Sequence, residues 1–260
     1  MSKFLKRTYL TLILIFLYAP IAVLIFFSFN ESRSRVKWTG FSFRWYIELF
    51  NDPNILRAFY FTIVIAILSS LIATVIGTLA AIGINRMPRF QKKAVLTVTN
   101  IPVLNPDIVT GVSLMILYIF CFNVLGVGRL GFTTLLLSHI TFNIPFVILS
   151  VLPKLRQLDK NLFEASLDLG ASPAYAFFKV ILPEIMPGVV TGALLAFTMS
   201  LDDFVVSFFT TGSGVTNLSI AIFSMTKQSI NPKVNALSTI MFLAVLILLY
   251  FINKRDSSKN

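Results

Sequence analysis

Charge is scarce in this chain. Only 13% of its 260 residues are charged, against about 25% in an ordinary soluble domain. With a mean hydropathy of +0.84, that deficit excludes a water-bathed globule and makes lipid the solvent for most of the surface. Cys121 is the only cysteine, which excludes an intrachain disulfide and a multi-cysteine zinc site. It lies in an apolar run and reads as a small lipid- or core-facing residue. His139 is the only histidine, so no histidine pair can hold a metal; it reads as a buried neutral imidazole bonded to a neighbouring carbonyl. No Gly-x-x-x-x-Gly-Lys-Ser/Thr loop occurs and no glycine precedes a lysine, so there is no P-loop to cradle a nucleotide. The Gly-x-Gly-Asp signature of membrane aspartyl proteases is also absent. No catalytic residue and no metal ligand set is expected.

What is abundant is apolar: 56% of the chain, including 26 phenylalanines. A membrane helix needs about 20 mostly apolar residues. Six stretches meet that, at about 8–29, 58–84, 94–124, 132–152, 188–211 and 235–252. The third is interrupted by Pro102, Pro106 and Asp107. The expected fold class is therefore an all-α membrane protein, a single domain over residues 1–260. The first apolar run follows Lys3, Lys6 and Arg7, yet it is longer than a signal-peptide core and no small-residue cleavage site follows it. It is expected to be a retained span.

The net charge of +11 reads as loop charge that orients the chain, not as a nucleic-acid footprint. With the N-terminus inside, the inner segments hold 14 basic residues and the outer ones eight. Both termini are thus expected in the cytoplasm. On the outer side, Trp38, Phe41, Phe43, Trp45 and Tyr46 form an aromatic cluster. An interfacial helix near Arg44–Phe50 is expected there, as an anchor at headgroup level.

The one long non-spanning inner stretch is 153–187. Asp159 is expected to cap a helix running to Leu169, and Gly170 to end it in the left-handed conformation. Ser172 and Pro173 restart a helix as N-cap and first-turn residue, and Pro183 and Pro187 are expected to stop it. Leu162, Phe163, Leu167, Tyr175, Phe177 and Phe178 are too many apolar residues for a solvated loop. They suit docking against protein.

Here the chain resembles a family. EASLDLG at 164–170, then nine residues, then VILP at 180–183, is similar to the EAA loop of ABC-importer permeases. Glu164, Ala165, Gly170, Leu182 and Pro183 match; Ser166 stands for the usual second Ala and Val180 for Ile. NPDIVTGVSL at 105–114, LLLSHITFNIPFVI at 135–148, SLDDFVVSFFTTG at 200–212 and NPKVNALSTI at 231–240 resemble the PotC-type permeases of spermidine/putrescine importers. The resemblance implies a type I, MetI-like transmembrane domain in a bacterial inner membrane. It implies that Glu164, Ala165, Ser166, Asp168, Gly170, Leu182 and Pro183 couple the chain to an ATPase. It also implies a second, PotB-like permease, two PotA-like ATPase subunits that carry ATP and Mg, and an external PotD-like polyamine-binding protein. No cofactor is expected on this chain itself.

Three carboxylates fall within the apolar runs: Asp107, Asp202 and Asp203. A charge at mid-bilayer costs about 2.5–3.5 kcal/mol on insertion scales, so each should face a cavity, a partner or a path. Counting about 1.5 Å per residue puts Asp107 and Asp203 at similar depths, roughly 20 Å from the inner face. Residues 202 and 203 lie about 100° apart on a helix. Asp203 is expected on a small, polar stripe with Gly192, Ala196, Ser200, Ser207 and Thr210. Asp202 then shares a more apolar face with Thr191, Leu195 and Thr198. Asp203, Ser200, Ser207 and Asp107 are expected along a substrate path, with Asp202 in support. Carboxylates and apolar walls suit a polyamine, whose ammonium groups alternate with methylenes. Another cationic solute or metal ion, or a carrier that works alone, are the alternatives.

Overall fold

The computed structural model describes residues 3–32, 37–159, 161–228 and 232–257. Among them there is no strand, only an isolated antiparallel bridge between Asn30 and Phe41. Five helical stretches are long and apolar enough to cross a membrane: Arg7–Ser28, Pro53–Arg86, Asp107–Leu125, Phe132–Gln157 and Pro173–Asp202. The sixth expected span lies in a further helix, Lys233–Ser257. The chain forms two compact units, Met1–Ala58 with Ile220–Asn260, and Phe59–Ser219.

The first unit contains α1 (Lys3–Ser28), α2 (Arg44–Phe50), the first turn of α3 (Pro53–Arg86), most of α11 (Leu218–Gln228) and α12 (Lys233–Ser257). The helices are named here by chain order, with α4–α10 in the second unit. The expected interfacial helix is α2. Trp45 is buried and its indole N–H donates to the Asn30 carbonyl at 2.6 Å. The Asn30 side chain donates to Lys37 O and accepts from Thr39 N, at 2.9 and 3.0 Å. One asparagine thus pins both the helix and the segment leading to it. Lys233, at the start of α12, lies 3.6 Å from Glu48 and 3.5 Å from Asp52.

The second unit carries the rest of α3, then α4 (Arg89–Leu104), α5 (Asp107–Leu125), α6 (Phe132–Gln157), α7 (Leu162–Asp168), α8 (Pro173–Ala176), α9 (Leu182–Asp202) and α10 (Val205–Thr210). The expected third span is two helices. Pro106 forces Asn105 into an extended conformation, and only α5 beyond it has the length and apolarity to cross. The core lies where α3, α6 and α9 meet, with Ala81, Ile84, Val147, Val151, Leu155, Ile185 and Ala196 all buried. Small residues set that closeness. A Cβ at Gly188 would lie 2.8 Å from Ser150 O, and one at Gly192 would lie 3.1 Å from Val147 Cα. Backbone contact of this kind favours glycine in a membrane bundle, where packing rather than water exclusion drives association.

Candidate functional site

Two places carry the residues that the sequence singles out. The first is the knob made by α7 and α8. Helix α7 ends in a Schellman turn: Gly170 N donates to Leu167 O at 2.8 Å, Ala171 N to Ser166 O at 3.1 Å, and Gly170 has φ +86°. Ser172 then caps α8, its Oγ accepting from Tyr175 N at 3.3 Å, with Pro173 in the first turn. Two expected details differ. Asp159 does not cap α7; its Oδ1 accepts from Asn161 N at 2.9 Å, making a turn ahead of a helix that starts at Leu162. Pro183 and Pro187 do not stop the second helix. A π-helical turn, Phe177–Ile181, joins α8 to α9, and Pro183 falls in the first turn of α9. The shifted ladder and the first-turn position spare the bond that Pro183 would break, whereas Pro187 lies inside α9, which runs on through it.

Leu169 stands out at the tip of the knob, 90% exposed, with Tyr175 and Phe178 exposed beside it. Glu164, Ala165, Asp168 and Pro183 are exposed, Leu182 is half-buried, and Ser166 is buried with its hydroxyl on Phe163 O at 2.6 Å. Large apolar side chains are thus displayed around a hydrogen-bonded turn, an arrangement suited to contact with protein.

The second place is the end of the fifth span. Helix α9 stops at Asp202, and the short α10 begins at Val205. The break redirects the expected stripe. The Asp203 side chain is only 7% exposed; its carboxylate accepts from Val206 N at 3.2 Å, and from Ser207 N and Ser207 Oγ at 2.7 Å each. It satisfies the free N–H groups at the start of α10. Asp202 is exposed, as is Asp107 at the first position of α5. Ser200 and Ser207 are buried, not on an open face.

Between those serines sits His139, 2% exposed, which donor and acceptor counting reveals as the centre of a network. Its Nδ1 lies 2.6 Å from Ser200 Oγ and its Nε2 lies 2.9 Å from Ser207 Oγ. The Ser207 hydroxyl has one proton and gives it to Asp203, so Nε2 must donate to Ser207 and Nδ1 must accept from Ser200. Ser69 Oγ, 3.1 Å from Ser200 Oγ, is placed to donate in turn. Asn217 closes the loop side, its Nδ2 donating to Ser207 Oγ at 2.7 Å and to the Asp203 carbonyl at 3.1 Å. The network joins α3, α6, α9 and α10 around the break. His139 does not bond a carbonyl, as expected from sequence, but two hydroxyls. Ser69, Asn217 and Asn143, whose Nδ2 donates to Ser69 Oγ at 3.4 Å, carried no sequence signal beyond being polar residues in or beside apolar runs.

This arrangement has no nucleophile exposed to a substrate. Among the described residues no group of three metal-ligating side chains occurs. What it offers is a helix break at the end of a span, held by buried polar bonds, with exposed carboxylates at two helix ends. Broken spans with their ends turned to a cavity are a recurrent feature of transporters.

Residues 73–254 match the family of binding-protein-dependent transport system inner membrane components, and this chain belongs to that family. It is a multi-pass membrane permease subunit. It is 40% identical over 261 residues to the spermidine/putrescine transport system permease protein PotC of Haemophilus influenzae, covering 99% of this chain and all of that one. It is 39% identical over 232 residues to the putrescine transport system permease protein PotI of Escherichia coli, covering 88% and 83%. Among solved structures, a bacterial ABC transporter that imports the acidic polysaccharide alginate shares the fold, with a TM-score of 0.74 at 18% identity over 98% of both chains. A bacterial alginate ABC transporter in complex with an alginate pentasaccharide-bound periplasmic protein gives a TM-score of 0.71 at 19% identity, over 96% of this chain and 93% of that one.

Proposed function

We propose that this chain is one membrane half of an ATP-driven importer of spermidine and putrescine. What carries the reading is 40% identity along 99% of the chain to a spermidine/putrescine permease. The loading of charge supports it: exposed carboxylates occur in the membrane segments at Asp107 and Asp202, as a cationic cargo requires. The whole of 1–260 acts as one permease domain. A second, PotB-like permease completes the path. An external polyamine-binding protein delivers the cargo, and two ATPase subunits with ATP and Mg drive the cycle. Both termini and the α7–α8 knob face the cytoplasm, where the knob, from Glu164 to Pro183, seats in the ATPase.

In this reading Asp202 and Asp107 face the cargo. Asp203, Ser200 and Ser207 hold the break from behind through His139. The carboxylates meet ammonium groups, apolar walls meet methylenes, and no single contact is tight, which permits release.

The test is uptake of labelled spermidine and putrescine into proteoliposomes holding the full complex, with the binding protein present. Energised polyamine uptake is expected. Asp202→Asn should lower it without lowering the melting temperature. Asp203→Asn should lower the melting temperature, because its acceptors hold three donors. Absence of polyamine uptake with intact uptake of a different cation would refute the cargo. Unchanged uptake by Asp202→Asn would remove that residue from the path.

A further inference from the structure

Behind the knob, and sharing Glu164 with it, lies a cavity with a volume of about 860 Å³. Three cations line it from three elements: Arg86 at the end of α3, Lys92 in the first turns of α4, and Arg156 near the end of α6. Leu155, Phe163 and Phe177 supply apolar wall. Among the described residues none of the three is in an ion pair. Asp159 and Glu164 also line the space, but among the described residues no ion pair joins either to Arg86, Lys92 or Arg156. Asp159 spends an oxygen on Asn161 N. Arg86 lies over the Phe163 ring, 5.0 Å from its centroid. Lys92 Nζ donates to neutral acceptors only, Asn85 Oδ1 at 3.0 Å and Asn85 O at 3.4 Å. Burial and the nearby Arg156 charge both hold the Lys92 ammonium below the usual lysine range.

The position of the cavity narrows its ligand. Arg86 closes a 34-residue apolar helix, and Lys92 precedes the next apolar run. With α3 read as a membrane span that ends at Arg86, the cavity falls on the headgroup side of the hydrocarbon. Basic pockets between membrane helices at that level recognise phosphate headgroups. Phosphate chemistry satisfies the cations, and glycerol and acyl carbons suit the apolar wall. We propose that Arg86, Lys92 and Arg156 bind the phosphate of an anionic membrane lipid, wedged between the α7–α8 knob and the helices behind it. Because Phe163 of α7 lies beneath Arg86, the lipid would fix the knob to α3 and α4. The inference rests on residence in a membrane and not on the identity of the cargo.

The experiment uses the complete complex in nanodiscs of phosphatidylcholine with graded phosphatidylglycerol, and counts retained lipid by native mass spectrometry. The wild type should keep one phosphatidylglycerol. Lys92→Gln/Arg156→Gln should need about twentyfold more phosphatidylglycerol to reach the same retention, each cation contributing about fivefold. Arg89→Gln/Lys93→Gln removes equal charge from residues that do not line the cavity, and should behave as wild type. Equal retention by the cavity variant, or equal loss by the control, would overturn the site. Displacement of the lipid from wild type by excess inorganic phosphate would overturn the lipid as its occupant. If the double variant does not assemble, Lys92→Gln alone decides: about fivefold weaker retention supports the site, and unchanged retention refutes it.

Discussion

Replacing Gly170 perturbs the knob through its backbone and through nothing else. A Cβ built there meets no atom within 4 Å, so the side chain has room. The cost comes from φ +86°, which an L residue reaches at about 1–2 kcal/mol. Asparagine tolerates that region; valine, branched at Cβ, sits at the upper end of the range. Proline is different in kind. Its ring fixes φ near −65°, so the turn must be rebuilt, and the 2.8 Å bond from Gly170 N to Leu167 O is lost. None of these costs unfolds a domain that is stable by about 5–15 kcal/mol. Each about 1.4 kcal/mol nonetheless lowers the share of native turn about tenfold against any competing geometry.

If the rigid turn transmits the ATPase stroke, transport per ATP should follow that ranking. The assay measures spermidine uptake and phosphate release in the same proteoliposomes. Gly170→Asn should stay near wild type, Gly170→Val should lose most coupling, and Gly170→Pro should hydrolyse ATP without import. Co-purification of the ATPase guards against simple misassembly. Normal import by Gly170→Pro would refute the reasoning. So would a Gly170→Asn as poor as proline, since that would make the side chain and not the backbone decisive.

His139→Leu should destabilise the complex by about 1–3 kcal/mol for each polar partner it orphans, chiefly Ser200 and Ser207; an unchanged melting temperature in detergent would dissolve the network argument. The anchor at α2 should weaken in acid. The Arg44 hydrogen bond holds the Glu48 carboxyl below its ordinary 4.5, with Arg44 and Lys233 charge acting the same way against partial desolvation. A depressed carboxyl contributes stability above its unfolded pKa and loses it as pH falls through the folded value. Glu48→Gln should therefore flatten the acid limb of a melting-temperature profile, modestly because the pair is surface-exposed.

The knob was legible because each of its signals is local. Gly170 needs only itself to mark a left-handed turn, and Ser172–Pro173 needs only its neighbours to start a helix. The Arg44–Phe50 helix was legible for the same reason. Pro183 misled because a proline's effect depends on where the ladder starts, and α9 also runs on through Pro187 in its interior. With a π turn just ahead, Pro183 lies in a first turn and breaks nothing. His139 was opaque for a different reason. Its partners are 61 and 68 residues away, and no spacing within one helix announces them.

The break at Asp202–Phe204 shows what helical phase can and cannot decide. No glycine or proline marks it, so periodicity ran a stripe straight through and assigned the inner carboxylate to the path. The marker is instead Asp203 four residues before Ser207, an acceptor placed to take the first N–H groups of a new helix. Once the helix is divided, two adjacent aspartates fall at opposite kinds of terminus. Asp203 meets N–H donors at the head of α10, and its charge is met within the protein. Asp202 ends the 21-residue α9, where carbonyl oxygens gather and the helix dipole is negative. A carboxylate there gains nothing from its own helix and lies exposed. Among the described residues no cation pairs with it, which leaves room for a counter-charge from outside the chain. In the reading proposed above, a passing cation would supply it, and the unfavourable helix end would keep that cation from being held too firmly to leave.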